Sequence, residues 1–191
     1  MSRTLVVPTI RPLRSSDRPL IEAMTRACRV FREDEVTVAL DVVDAALGWG
    51  RRRDPGYETA GVELDGALAG WACWGPVPCT VGSFDLYWIV VAPERQGCGV
   101  GRALLEDVER RVAGRARLLV VETAGREEYA GTRAFYVSRG YQVAARIVDY
   151  YAPGDDLVTF VKRIGDPWIR ESGDQGNADS LIPGSPGPRI R

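Results

Sequence analysis

Between Ala92 and Val112 the chain reads APERQGCGVGRALLEDVERRV, with Gly97, Gly99 and Gly101 at every second position just ahead of a helix-like pattern. A strand that ends in such a turn and opens a helix gathers backbone N–H groups and the positive end of the helix dipole onto one spot. That spot suits an anion, typically phosphate. Glycines let a phosphate approach the amides and accept φ values that other residues avoid; an ordinary tight strand-to-helix turn is the plainer alternative. Two familiar phosphate motifs fail. The dinucleotide fingerprint GxGxxG needs glycine where Arg102 or Leu104 stands, and the P-loop needs a Gly-Lys-Ser/Thr ending where no lysine is within reach. Just upstream, Asp85 interrupts SFDLYWIVV, the most strand-like run of the chain, where an unpaired carboxylate is costly to bury.

The composition bounds what this chemistry can be. At 191 residues the chain suits one domain with a real core, plus a tail. Lys and Arg total 25 against 26 for Asp and Glu, which argues against a protein that holds nucleic acid by counterion release. The count of histidines is 0, so Ser-His-Asp triads, Cys-His dyads and imidazole metal ligands are excluded. No metal is expected. The cysteines Cys28, Cys73, Cys79 and Cys98 show no CxxC spacing and no signal-like segment is read ahead of them, so a reduced, cytoplasmic chain is expected. No apolar run reaches membrane-span length, and no membrane partner is expected.

The elements that must position the glycine loop follow from periodicity. VVPTIRPL reads as a first strand, and Asp17 as a cap for a helix with Leu20, Ala23, Met24 and Ala27 on one face. Val36, Leu40, Val43 and Leu47 mark a second helix, stopped by Gly48. YETAGVEL and ALAGWACW flank Asp65-Gly66 as a hairpin. SFDLYWIVV, the glycine loop and a helix carrying Val100, Leu104, Val108 and Val112 come next. ARLLVVET is a further strand, EEYAGTRAFYVSRGY a short helix with Ala130, Ala134, Val137 and Tyr141 on its apolar side, and two strands flank Pro153-Gly154-Asp155. The order predicts an α/β (α+β) fold: a mixed, mostly antiparallel central sheet of about seven strands flanked by helices. Residues 1–165 form the expected domain, and the Gly/Pro-rich stretch 166–191 an expected disordered tail.

Gln96-Gly97-Cys98-Gly99-Val100-Gly101 resembles the (Gln/Arg)-x-x-Gly-x-(Gly/Ala) pyrophosphate loop of the GNAT superfamily of acyl-CoA-dependent N-acyltransferases. LYWIVVAPERQGCGVGRALL is similar to that superfamily's strand, loop and helix, and TRAFYVSRGY to its second signature; element order agrees from Thr9 to Ile164. The resemblance implies acetyl-CoA as co-substrate, its pyrophosphate held by Gln96, Gly97, Cys98, Gly99, Val100, Gly101 and Arg102. It also implies a strand amide near Ile89 on the thioester carbonyl, the backbone of Val90 and Val91 against pantetheine, and Tyr136 as acid for the departing sulfur. Cys98 stands where the family often has a basic residue, and Tyr129 where it often has asparagine.

Acyl transfer to an amine needs a neutral nitrogen, a stabilised oxyanion and a proton for the thiolate. Deprotonating a lysine-like amine at pH 7 costs roughly 4 to 5 kcal/mol, an α-amino group only about 1 to 1.5. Asp85 stands eleven residues before Gln96, where some members carry a glutamate base. Glu122, ending the next strand, is the other candidate, and a water relay a third. Strand alternation predicts Asp85, Tyr87, Ile89 and Val91 on one face. The solvent-exposed start of the strand is the alternative for Asp85, hydrogen bonding within the sheet for Glu122, and a packed helical tyrosine for Tyr136. Acceptor contacts are expected from Phe31, Glu33, Trp74, Thr80 and Tyr87, with Trp71 and Trp88 in the core. The expectation is an acetyl-CoA-dependent N-acetyltransferase acting on a primary amine of a small molecule, amino acid or peptide, with a homodimer left open. A coenzyme-binding module that transfers nothing is the rival.

Overall fold

The computed structural model describes residues 8–50 and 52–165; the expected tail and Val6–Val7 of the first strand run lie outside them. The described residues form a seven-stranded sheet in the order β1-β2-β3-β4-β5-β7-β6, with β1 Thr9–Arg11, β2 Glu58–Leu64, β3 Ala67–Pro76, β4 Ser83–Val91, β5 Leu118–Ala124, β6 Gln142–Ala152 and β7 Asp155–Arg163. Every neighbouring pair is antiparallel except β4 with β5. A crossover through the helix α3 (Val100–Val112) makes that parallel pair, as parallel neighbours require.

Helices cover both faces. On one, α3 buries Val100, Leu104, Val108 and Val112 against Leu86, Leu119, Val121 and Phe160, the four-residue stripe expected from its sequence. Each such side chain contributes about 1.5–3 kcal/mol of burial. On the other face, α1 (Arg18–Ala27) and α2 (Glu33–Leu47) pack Ile21, Met24, Val36, Leu40 and Val43 onto Trp71, Cys73 and Val90. Gly48 ends α2 in the left-handed region at φ 70. The turn at Asp65 and Gly66, with φ 55 and 77, has the two positive values a tight hairpin needs.

Two helix faces differ from expectation. In α1 the buried residues are Ile21, Met24 and Thr25, while Leu20, Ala23 and Ala27 are exposed. The stripe is rotated because Thr25 gives its hydroxyl to the Ile21 carbonyl and so can be buried, receiving the Trp71 indole N–H in turn. Asp17 stands at the N-cap, but its carboxylate accepts from Arg11 and from the Arg14 amide instead of capping α1. In α4 (Ala130–Ser138) Ala134 and Val137 face solvent and Tyr136 is buried. The large rings of Phe135 and Tyr136 set the face of this short helix, and Tyr141 lies beyond its end, past Gly140.

Candidate active site

The site begins where β4 and β5 separate. They pair only at Ser83–Leu118, Phe84–Leu119 and Asp85–Val120. Beyond that point β5 stays with β7 and β4 stays with β3. The strands therefore open like a V, leaving the β4 edge from Leu86 to Val91 without a strand partner on that side. A cleft of about 520 Å³ occupies the opening, within the range of small-molecule sites.

At the far end of β4 the glycine loop has the geometry its sequence calls for. Gly97 and Gly99 have φ 72 and 83, and a Cβ built on either meets nothing within 4 Å, so the space beside the loop is open. Gly99 is the N-cap of α3 and no side chain caps that end. The first bond of the helix runs from the Ala103 amide to the Gly99 carbonyl, so the Val100, Gly101 and Arg102 amides precede the hydrogen-bonded ladder. Gly101 differs. Its backbone is ordinary, and a Cβ there would meet Val91 at 3.5 Å and Phe135 at 3.7 Å, ordinary contact distances, so neither φ nor close packing demands glycine at this position. The nearby cations are already engaged, Arg95 with Asp65 at 2.7 Å and Arg102 with Glu106 at 3.6 Å. The donors left free at this loop are thus backbone amides at the positive end of the helix dipole. Gln96 reaches toward the Val91 carbonyl at 3.5 Å, which also accepts from the Cys28 thiol at 3.2 Å.

The strand-alternation expectation for β4 is corrected by a bulge. Cys73 pairs with Trp88 but Trp74 pairs with Leu86, so Tyr87 is an extra residue in β4. Before it, Phe84 and Leu86 pack on the α3 side; after it, Ile89 and Val91 do, while Trp88 and Val90 turn to the α1–α2 side. Asp85 therefore shares its face with Trp88 and Val90, opposite Ile89 and Val91. Glu122 lies between the α3-side residues Val121 and Thr123 of β5 and projects to the same side as Asp85. Both carboxylates line the cleft. Burial first, and the charge of Glu122 second, push the Asp85 carboxyl above its usual value.

Tyr136 lines the cleft from α4. Its buried ring stands edge-on to Phe135 and Tyr141 and tilts onto Phe160. Burial lifts its phenol far above the ordinary tyrosine value, so it stays protonated at any working pH.

The expected acceptor residues divide. Phe31 and Tyr87 line the cleft. Trp74 does not: it is fully buried in the α3-side core and borders a separate cavity near Arg14 and Arg53. Thr80 is spent on the Val77 carbonyl in the exposed β3–β4 turn, and Glu33 pairs with Arg26 at the outer start of α2. Trp71 is core, and Trp88 packs on the same α1–α2 cluster while also bordering the cleft. Sequence reasoning also missed Asp34, Tyr129 and Tyr151. Of these only Tyr129 carried a signal, standing where the family often has asparagine.

Tyr129 donates to Glu35 at 3.0 Å. Arg126 beside it donates to Glu35, to Asp155 and to the Val30 carbonyl at 2.8, 3.0 and 2.8 Å. One guanidinium thus ties the α1–α2 link, the β5–α4 loop and the β6–β7 turn around the cleft mouth.

A family model described as an acetyltransferase (GNAT) domain matches residues 55–143. Among solved structures, an acetyltransferase assigned to the GNAT family from Desulfovibrio desulfuricans is 36% identical, with a TM-score of 0.74, over 83% of this chain and 100% of its own. The ribosomal-protein-S18-alanine N-acetyltransferase of Escherichia coli is 22% identical over 92% of this chain and 100% of its own, with a TM-score of 0.66. An acetyltransferase from Salmonella typhimurium, solved with its cofactor acetyl-CoA, is 20% identical over 83% of this chain and 95% of its own, with a TM-score of 0.63. The last two share the fold. No curated protein matches the chain. With a matching domain model, a relative identical at more than a third of positions and a sheet split between β4 and β5, the chain belongs to the GNAT family of acetyltransferases.

Proposed function

We propose that the protein moves an acetyl group from acetyl-CoA to a primary amine of a small molecule, amino acid or peptide. One arrangement along β4 carries the reading: a cleft at its parting from β5 is lined by two carboxylates and a buried tyrosine, and past its end lies an uncapped, glycine-opened helix N-terminus. The residues fit the coenzyme, because the space beside Gly97 and Gly99 is open and the amides of the first α3 turn precede any helical bond. When bound, acetyl-CoA supplies an activated thioester carbonyl.

The protein's own groups supply the rest. The loop from Gln96 to Arg102 holds the pyrophosphate with main-chain donors. The unpaired β4 edge at Ile89, Val90 and Val91 offers backbone groups to the pantetheine arm and an amide to the thioester oxygen, whose charge grows as the amine attacks. Asp85 or Glu122, directly or through a water, takes the amine's proton. A carboxylate lifted by burial and by a like charge is a better base than an ordinary one. Tyr136 cannot hand its proton fully to a thiolate cheaply, since its environment makes the phenol a weaker acid. Its contribution is a hydrogen bond to the sulfur that strengthens as charge develops, ahead of proton transfer. A cytoplasmic setting accords with cysteines that are free among the described residues.

Calorimetry with acetyl-CoA followed by thiol-release assays with a broad amine panel tests the reading. Amine-dependent release of free coenzyme A is expected. Tight coenzyme binding with no release for any amine would favour the non-catalytic module, and stabilisation by ATP or NAD but not coenzyme A would overturn the site assignment.

A further inference from the structure

Among the described residues, the side chains lining the cleft include Asp34, Glu35, Asp85 and Glu122 but no lysine or arginine. Two of these acids are answered from outside the cleft. Glu35 accepts from Arg126, the Tyr129 hydroxyl and the Arg32 amide, and Asp34 faces Arg32 at 3.4 Å. The arginines nearest the mouth are engaged in doing so, and both also donate to Asp155. Asp85 and Glu122 are left without a basic partner among the described residues; the one charge that bears on Asp85 is Glu122 itself. Two carboxylates of like sign, Asp85 half-buried and Glu122 exposed on the wall, give the cleft a negative potential that favours a positive ligand.

The remaining wall is aromatic. Phe31 stands edge-on between Trp88 and Tyr129, at 5.4 and 6.3 Å between ring centroids, and Tyr87 and Tyr151 add further ring surface. Rings of this kind attract an organic cation and its apolar body together. A substrate carboxylate next to the reacting nitrogen would meet only like charge there, with no donor cation to receive it.

We propose that the acceptor is an organic amine that enters as a cation, carries an apolar or aromatic body, and lacks a carboxylate beside its reacting nitrogen. This rests on the acetyl-transfer reading above and narrows its acceptor. In the reaction the ammonium loses a proton to Asp85 or Glu122. The freed lone pair forms the C–N bond to the acetyl carbon, and the C–S bond breaks with its electron pair leaving on sulfur. A second proton passes from the nitrogen to water as the amide forms, and the thiolate, hydrogen-bonded by Tyr136, takes a proton from water.

The test uses matched pairs that differ only in the carboxylate: phenethylamine with phenylalanine, tyramine with tyrosine, tryptamine with tryptophan. Values of kcat/KM come from thiol release, and calorimetry measures binding of each compound to the protein saturated with coenzyme A, where no transfer can occur. The amine of at least one pair is expected to exceed its amino acid at least tenfold in both measurements, with Glu122→Gln narrowing the gap. Amino acids acetylated as well as their amines, or a smaller ratio in every pair, would overturn the inference while leaving acetyl transfer standing. Loss of coenzyme binding altogether would instead remove the transfer reading and the inference with it. If coenzyme binds but no compound is acetylated, the calorimetric ratio alone decides, tenfold for the inference and less against it.

Discussion

Replacing Gly99 by alanine separates what the glycine does for the fold from what it does for the ligand. Gly99 sits at φ 83, where an L-residue is strained by about 1–2 kcal/mol. A Cβ there meets no protein atom within 4 Å, so packing adds nothing to that cost. Gly114, just past the other end of α3, offers a matched control, with φ 80 and equally open space. Both Gly99→Ala and Gly114→Ala are expected to lose about 1–2 kcal/mol in urea unfolding, or roughly 2–8 °C in Tm for a chain of this size. Only Gly99→Ala adds a methyl to the space reserved for the pyrophosphate. Calorimetry with acetyl-CoA should show its affinity falling at least tenfold, about 1.4 kcal/mol, while Gly114→Ala binds like the wild type. Unchanged affinity in Gly99→Ala, or an equal loss in Gly114→Ala, would refute the claim that this loop grips the coenzyme through its main chain.

Tyr136→Phe keeps the ring packing but removes the hydroxyl, so kcat is expected to fall by about 10²–10⁴ with coenzyme affinity unchanged in calorimetry. Asp85 has a folded-state pKa above its unfolded value, so its effect on stability favours the fold below the usual carboxylate value near 3.8 and is lost as pH rises through the folded value. Asp85→Asn should accordingly raise Tm at pH 7, with the advantage vanishing below about pH 4, as a pH series of melting curves would show. For activity, the rising limb of the pH–rate profile is expected to move to lower pH in Glu122→Gln, because the like charge that lifts Asp85 is gone. Leu104→Ala, at a fully buried position of α3, should cost about 2–5 kcal/mol in urea unfolding.

Much of the frame was legible from local pattern. The α3 stripe, the Asp65-Gly66 hairpin and the Gly48 stop each depend on a few neighbouring residues, so their sequence signals survive folding intact. The glycine loop was legible for the same reason, since its φ values and open amides are local properties of Gln96 to Gly101. Asp85 and Glu122 were each visible as acids on apolar strands. That both line one cleft beside the parting of the sheet was not visible, because it depends on how far β5 follows β7.

Sequence by itself determined the element order, the glycine-opened turn before α3, and the absence of histidine chemistry. These follow from side-chain type and short-range spacing. Tertiary structure alone decided which face of β4 carries Asp85, because one extra residue at Tyr87 reverses every side chain beyond it. It also put Trp88 rather than Trp74 on the cleft, and it spent Arg32 and Arg126 on Glu35 and Asp155 so that the cleft keeps two unanswered carboxylates. Register and charge pairing are settled between segments far apart in the chain, and no local pattern carries them.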